Sequence, residues 1–215
     1  KPELPGNWGL TEYDGPEKIL DFISEREENP SILFVGSGKR LDFSWIISQI
    51  KKKNHHCKIT FSDIDQAIEG VGDEFDHEGV EFVQLDVLRP SETESLWDCV
   101  VAFGLFSPRV LSSSQVVWSE NTKIIISNII KITKKEGMIV ASTREEDNQV
   151  FENILQSIDI KLSFKKNTDY ARHTIYDKHQ YHRMGLSKGG NLVEEYRAYL
   201  SKEIKRTNFY IIKQY

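Results

Sequence analysis

Ser31-Ile-Leu-Phe-Val-Gly-Ser-Gly-Lys-Arg40 is the stretch from which the rest of the chain is read. Ile32 to Val35 form a continuous apolar run, as expected of a strand buried on both faces of a parallel sheet. Gly36-Ser37-Gly38 follows at once. Then Leu41 to Ile50 carries apolar residues at Leu41, Trp45, Ile46 and Ile50, the spacing of an amphipathic helix. Strand, glycine turn and helix start make a nucleotide-binding corner, because glycine admits close approach and a helix start offers unpaired N–H groups. The same three parts also occur as a plain turn, so the corner needs support from elsewhere in the chain.

On either side the chain alternates. Pro16 opens a helix predicted to run to Glu28, with Ile19, Leu20, Phe22 and Ile23 on its inner side, and Asn29-Pro30 stops it. Further strands are predicted at Lys58–Ser62, Val80–Leu85, Asp98–Phe103 and Gly137–Ala141. Val116 to Thr133 has helical spacing despite many isoleucines, and Asn148 to Ile158 supplies another helix. Two last strands are expected at Ile160–Phe164 and Asn208–Lys213, with a polar and aromatic insert, residues 165–205, between them.

Five strands alternating with helices call for a doubly wound, mostly parallel α/β sheet, since each parallel crossover needs a covering helix. The last two strands complete a seven-stranded sheet as an edge hairpin with an antiparallel last strand. At 215 residues the chain reads as a single domain, 1–215, with residues 1–15 as an N-terminal arm.

Composition narrows the class. No apolar run approaches the ~20 residues that span a bilayer, so no membrane partner is expected. Cys57 and Cys99 are the only cysteines, which excludes a disulfide framework and a thiolate zinc site and fits a reducing, cytoplasmic setting. A net charge of −5 argues against a nucleic-acid-binding surface. His55-His56-Cys57 lacks metal-site spacing. His179 and His182, with Asp177 nearby, have a spacing metals use but no second ligand pair, so no metal is assigned. Lys51–Lys53 and Lys134–Lys135 read as solvated helix ends.

The order of these features resembles the class I S-adenosylmethionine-dependent methyltransferases, a Rossmann-like family. In that family the first strand ends in a glycine-rich loop, matched here by Val35-Gly36-Ser37-Gly38. The second ends in an acid that holds the cofactor ribose, matched by Asp63 with Ile64 beside it. The third ends in an acid beside the adenine, matched by Asp86 in Leu85-Asp86-Val87. The fourth ends beside cofactor and substrate, matched by Ala102-Phe103-Gly104. Tyr13 lies where the family's N-terminal arm folds over the cofactor's methionine end; a surface aromatic staple is the other reading. The glycine motif is degenerate: Phe34 stands at the place of the usual acid, and Arg40 at that of the third glycine.

Physical chemistry gives the acids a reason. A carboxylate accepts two hydrogen bonds from vicinal hydroxyls, and charge-assisted bonds are the stronger kind. At a strand's C-terminal end it faces the crevice. Asp65 is the alternative to Asp63, and a turn acid or helix N-cap is the plainer reading of either, as of Asp86.

The resemblance implies S-adenosylmethionine as cofactor and methyl transfer to an oxygen or nitrogen of a small molecule, with a homodimer compatible with it. Phe103 and Phe106 either line the transfer pocket or belong to the core. In the insert, residues 165–188 carry six Lys/Arg against two Asp and suit a substrate lid. Tyr170 and His173 are substrate candidates there, and His173 and Tyr176 are candidate bases. Two other readings compete: a catalytically weak methyltransferase-like module that recognises a protein partner, and an NAD-dependent oxidoreductase. Leu41 at the third-glycine position of the dinucleotide motif counts against the latter.

Overall fold

The computed structural model describes residues 14–26, 29–37, 43–66, 68–69, 78–89, 96–102, 105–106, 114–144, 147–158, 162–169 and 207–214. Strands β1 (Ser31–Val35), β2 (Lys58–Asp63), β3 (Val80–Gln84), β4 (Trp97–Ala102), β5 (Thr133–Arg144), β6 (Leu162–Asp169) and β7 (Thr207–Gln214) form one sheet in the order β3-β2-β1-β4-β5-β7-β6. Strands β1 to β5 pair in parallel, and β7 enters antiparallel between β5 and β6. The expected doubly wound, seven-stranded architecture is therefore present.

Alternation along the strands sorts the core into two layers. Ile32 and Phe34 of β1, Ile59 and Phe61 of β2, and Cys99 and Val101 of β4 face one side. There they meet Ile19, Leu20 and Ile23 of α1 (Asp14–Ser24) and Ile47 and Ile50 of α2 (Phe43–Lys53). Leu33, Val35, Val100 and Ala102 face the other side, with Ile125, Ile126 and Ile129 of α3 (Gln115–Ile132) and Phe151 and Leu155 of α4 (Asn148–Ser157). Strands buried on both faces must be apolar throughout, which is why Ile32–Val35 is an unbroken run.

Phe34 lies fully within the first layer, stacked on Phe61 at 4.8 Å, and Phe61 stacks on Phe82 at 5.2 Å. The residue that replaces the usual acid is thus a core residue under α1 and α2. Across the sheet, Tyr210 of β7 is buried and reaches Glu152 Oε1 at 2.9 Å and Asn148 Oδ1 at 3.1 Å, while the Thr143 hydroxyl donates to Asn148 Oδ1 at 2.8 Å. These bonds satisfy the buried polar groups between α4 and the β5–β7 pair. Burial, then the Glu152 carboxylate, hold the Tyr210 phenol above its ordinary pKa.

Several boundaries differ from expectation. Helix α1 ends at Ser24 rather than Glu28, because the Ser24 hydroxyl donates to the Asp21 carbonyl and the Arg26 N–H closes a tighter turn onto Ile23. Strand β5 begins at Thr133, directly from α3, where the Thr133 hydroxyl donates to the Ile129 carbonyl at 2.7 Å and Glu136 adopts φ 62°. Strand β6 runs on to Asp169 and pairs fully with β7, so residues 165–169 belong to the sheet rather than to the insert. Nor is Lys51 simply solvated: its ammonium donates to the Glu78 carbonyl at 2.7 Å and the His55 carbonyl at 3.1 Å, tying the C-terminus of α2 to the approach to β3.

Candidate nucleotide cleft

The chain runs from β1 outward to β3 and then returns to β4 on the other side of β1. This reversal leaves a crevice at the C-terminal ends of β1 and β4, where ligands of open α/β sheets bind. The structure places there a cleft of about 240 Å3. The ends of three strands border it: Val35 and Gly36 after β1, Asp63 and Ile64 after β2, and Asp86 and Val87 after β3. Ile125 of α3 supplies an apolar wall and Leu105, beyond β4, closes one side.

Gly36 has φ 64°, a conformation that costs an L side chain ~1–2 kcal/mol. A Cβ at this position would lie 3.0 Å from Leu105 Cδ1. Both constraints ask for glycine, and the turn is fixed further by its neighbour. The Ser37 N–H donates to the Ser62 carbonyl at 2.9 Å, and the Ser37 and Ser62 hydroxyls both donate to the Phe34 carbonyl, at 3.2 and 2.9 Å. Ser37 is therefore a buried staple between the ends of β1 and β2, and not one of the residues bordering the cleft.

Asp63 closes β2, paired with Gln84, and Asp86 lies two residues beyond the end of β3. Asp63 Oδ1 accepts the Asp65 N–H at 3.0 Å, and Asp86 Oδ1 accepts the Leu88 N–H at 3.0 Å. Each carboxylate is held by an Asx turn, and both residues border the cleft. Asp65 is exposed beyond that turn, and Asp63 is the one that borders the cleft. Ile64 is 62% exposed, a large apolar side chain presented to the cleft between the two acids. Its carbonyl accepts from Gln84 Nε2 at 2.9 Å, and the Leu85 N–H donates to the Asp63 carbonyl at 2.8 Å, so β2 and β3 stay joined to their last residues.

Sequence reasoning missed two residues here. Asn128 of α3 donates through Nδ2 to the carbonyls of Val87 at 2.8 Å and Leu88 at 3.3 Å, holding the loop after β3 against the helix. A lone amide in an isoleucine-rich helical face was the available signal. Leu105 was the other; it follows the strand end that was singled out, but neither its charge nor its spacing marks it. Among the residues that were singled out, Ala102 is fully buried at the end of β4, and Phe106 is 1% exposed and packed on Phe151 at 5.1 Å. Phe106 thus belongs to the core rather than to a substrate pocket. Tyr13, Gly38, Phe103, Tyr170, His173 and Tyr176, with Arg40, lie outside the described residues. No cluster of metal-binding side chains occurs among the described residues, and no described helix is long and apolar enough to cross a membrane.

No family model matches the sequence, and no curated protein does. Solved structures do. The plantazolicin methyltransferase BpumL, in complex with a monoazolic desmethylPZN analog and SAH, is 14% identical with a TM-score of 0.56, over 93% of this chain and 84% of its own. The N-methyltransferase NodS from Bradyrhizobium japonicum WM9, in complex with S-adenosyl-L-homocysteine, is 14% identical with a TM-score of 0.52, over 96% and 91%. The 4+2 cyclase SpnF is 15% identical with a TM-score of 0.56, over 97% and 87%. The chain has the class I methyltransferase fold. At these identities the likeness is one of fold, and a cyclase among the neighbours illustrates that fold does not fix chemistry.

Proposed function

We propose that the protein is an S-adenosylmethionine-dependent methyltransferase acting on an oxygen or nitrogen of a small molecule. The observation that carries this reading is the meeting of Gly36, Asp63 and Asp86 at one cleft of a β3-β2-β1-β4-β5-β7-β6 sheet. The neighbours support it further: two are methyltransferases crystallised with S-adenosylhomocysteine, one of them an N-methyltransferase and the other in complex with a desmethylPZN analog.

The residues present fit the adenosyl half of that cofactor. Asp63 would offer a carboxylate to vicinal ribose hydroxyls, Asp86 and the pinned loop after β3 would hold the base, and Ile64 and Ile125 would give it an apolar contact, since all border the one cleft. Gly36, with no side chain of its own, borders the same cleft. On β1 the acid expected near the methionine amino group is absent, since Phe34 is buried under the helices. The cofactor supplies an activated methyl group on a sulfonium. The protein's share is to orient the acceptor against it and exclude water, and positioning of this kind is worth ~7–11 kcal/mol. His173 and Tyr176 remain the proposed bases, and Tyr13, Gly38, Phe103, Tyr170 and His173 the proposed further contacts. A cytoplasmic setting and a homodimer belong to the same proposal.

Phe34 keeps the reading of a catalytically weak, partner-binding module in play, and calorimetry separates the alternatives. Micromolar binding of S-adenosylhomocysteine with no binding of NADH is the expected result. Binding of NADH alone would make the protein an oxidoreductase candidate, and binding of neither would favour the module.

A further inference from the structure

Leu105 and Gly36 bring the two strand ends of the switch point into contact. The position of a Cβ on Gly36 lies 3.0, 3.7 and 3.8 Å from Leu105 Cδ1, Cγ and Cβ, so this side chain covers the open face of the glycine. Leu105 is half-buried, packed against the layer that holds Phe106 and Ile125. What remains is a cleft of about 240 Å3, bordered by the acids Asp63 and Asp86. Sites for drug-sized ligands and cofactors are ~300–1,000 Å3. The cleft lies below that range, and Leu105 is the residue that covers it over Gly36. A glycine that admits close approach of a ligand is of no use while a leucine lies on it.

We propose that Leu105 is a gate: its side chain fills the space over Gly36 that the tail of the cofactor needs, so the ground state admits the nucleoside alone and full cofactor binding requires Leu105 to rotate away. The inference rests on the cofactor reading above. Leu105 is then a residue that sets ligand length at this site, through steric exclusion. Neither Asp63 nor Asp86 has this role, because the three atoms nearest a Cβ on Gly36 all belong to Leu105.

The test is calorimetric titration of the wild type, Leu105→Ala and Leu105→Phe with adenosine and with S-adenosylhomocysteine. A rotamer equilibrium lowers apparent affinity by the open fraction, so removing a stopper that is open about one-tenth of the time raises affinity about tenfold. Leu105→Ala is therefore expected to bind S-adenosylhomocysteine about tenfold more tightly and adenosine unchanged. Leu105→Phe is expected to weaken S-adenosylhomocysteine and again leave adenosine alone. The opposite signs keep the test valid if the alanine variant folds poorly. S-adenosylhomocysteine affinity that ignores both substitutions, or that moves together with adenosine, would overturn the gate while leaving the cofactor reading intact. Failure of every protein to bind either ligand would overturn both.

Discussion

At the end of the sheet opposite the cleft, the Lys134 ammonium lies 2.9 Å from Asp98 Oδ2. The same oxygen accepts the Ser31 N–H and the Ser31 hydroxyl, each at 2.9 Å. One carboxylate thus joins the starts of β1, β4 and β5. Burial alone would raise its pKa, but the hydrogen bonds from Lys134 and Ser31, helped by the Lys134 charge, outweigh it and hold the carboxyl below its ordinary value.

Replacing Asp98 by Asn should cost about 2 kcal/mol at neutral pH, the scale of hydrogen bonds to a charged group. The folded pKa is lowered, so the native state releases this proton at lower pH than the unfolded chain does. The contribution is present above ~3.9, the unfolded value, and is lost as pH falls through the folded one. Urea denaturation of wild type and Asp98→Asn at pH 7 and pH 3 should show a gap that narrows in acid. A gap of the same size at both would mean that packing, not the charge, is what the substitution removes.

Gly137 should tolerate alanine less well than Gly79 does. A Cβ on Gly137 would lie 2.7 Å from the Lys134 carbonyl and Thr133 Cγ2 and 2.9 Å from the Asp98 carbonyl, atoms that cannot move without breaking the start of β5. On Gly79 it would meet only the tip of Lys51 at 3.2 Å and a carbonyl at 3.8 Å, leaving the φ of 71° as the main penalty, ~1–2 kcal/mol. Overpacking a rigid site adds ~1–3 kcal/mol of its own. Thermal melts should rank Gly137→Ala below Gly79→Ala. The reverse order would show that this turn relaxes more freely than its contacts imply.

What could be read from the sequence was what local pattern dictates. Ile32–Val35 is apolar throughout because both sheet faces are covered there, and that run alone located β1. Gly36, Asp63 and Asp86 were legible because each lies at a strand's last residue or within two residues beyond it, where the crevice must be. Long-range pairing was not legible. Lys134 and Lys135 read as a helix end, yet Thr133 pairs with Trp97 and draws them into β5. Lys165 to Asp169 is polar enough to pass for an insert, but its backbone pairs with Tyr210, Ile211 and their neighbours. Phe106 was open between pocket and core, and only Phe151, supplied by α4, decides it.

The two cysteines should be inert in the folded protein. Both are buried, and burial pushes the Cys57 thiol up to about 12 despite the opposing charge of Lys51, and Cys99 higher still. Thiolate is the reactive form, so an aromatic disulfide reagent at pH 8 should label neither thiol until denaturant is added. The unfolded thiols ionise near ~8.5, where the native ones stay protonated. Stability should therefore be full below that pH and decline as pH rises towards the folded value. Rapid labelling of the native protein would show that the first core layer opens.

Asp63 and Asp86 can be separated from one another by ligand binding. Asp63→Ala should weaken S-adenosylhomocysteine by more than tenfold, about 1.4 kcal/mol, because a carboxylate bonded to two hydroxyls loses both bonds. Asp86→Ala should cost less, since a base contact uses fewer charge-assisted bonds. Both acids are half-exposed at strand ends, so the melting temperature should change little in either variant. Asp63→Asn retains an acceptor for the Asp65 N–H, and therefore the Asx turn, while removing the charge. If charge is what holds the ribose, Asp63→Asn will bind nearly as weakly as Asp63→Ala; if the turn matters more, it will bind nearly as well as wild type. A folded Asp63→Ala protein with unchanged affinity would remove Asp63 from the site, and with it the strongest argument that this cleft binds a nucleoside.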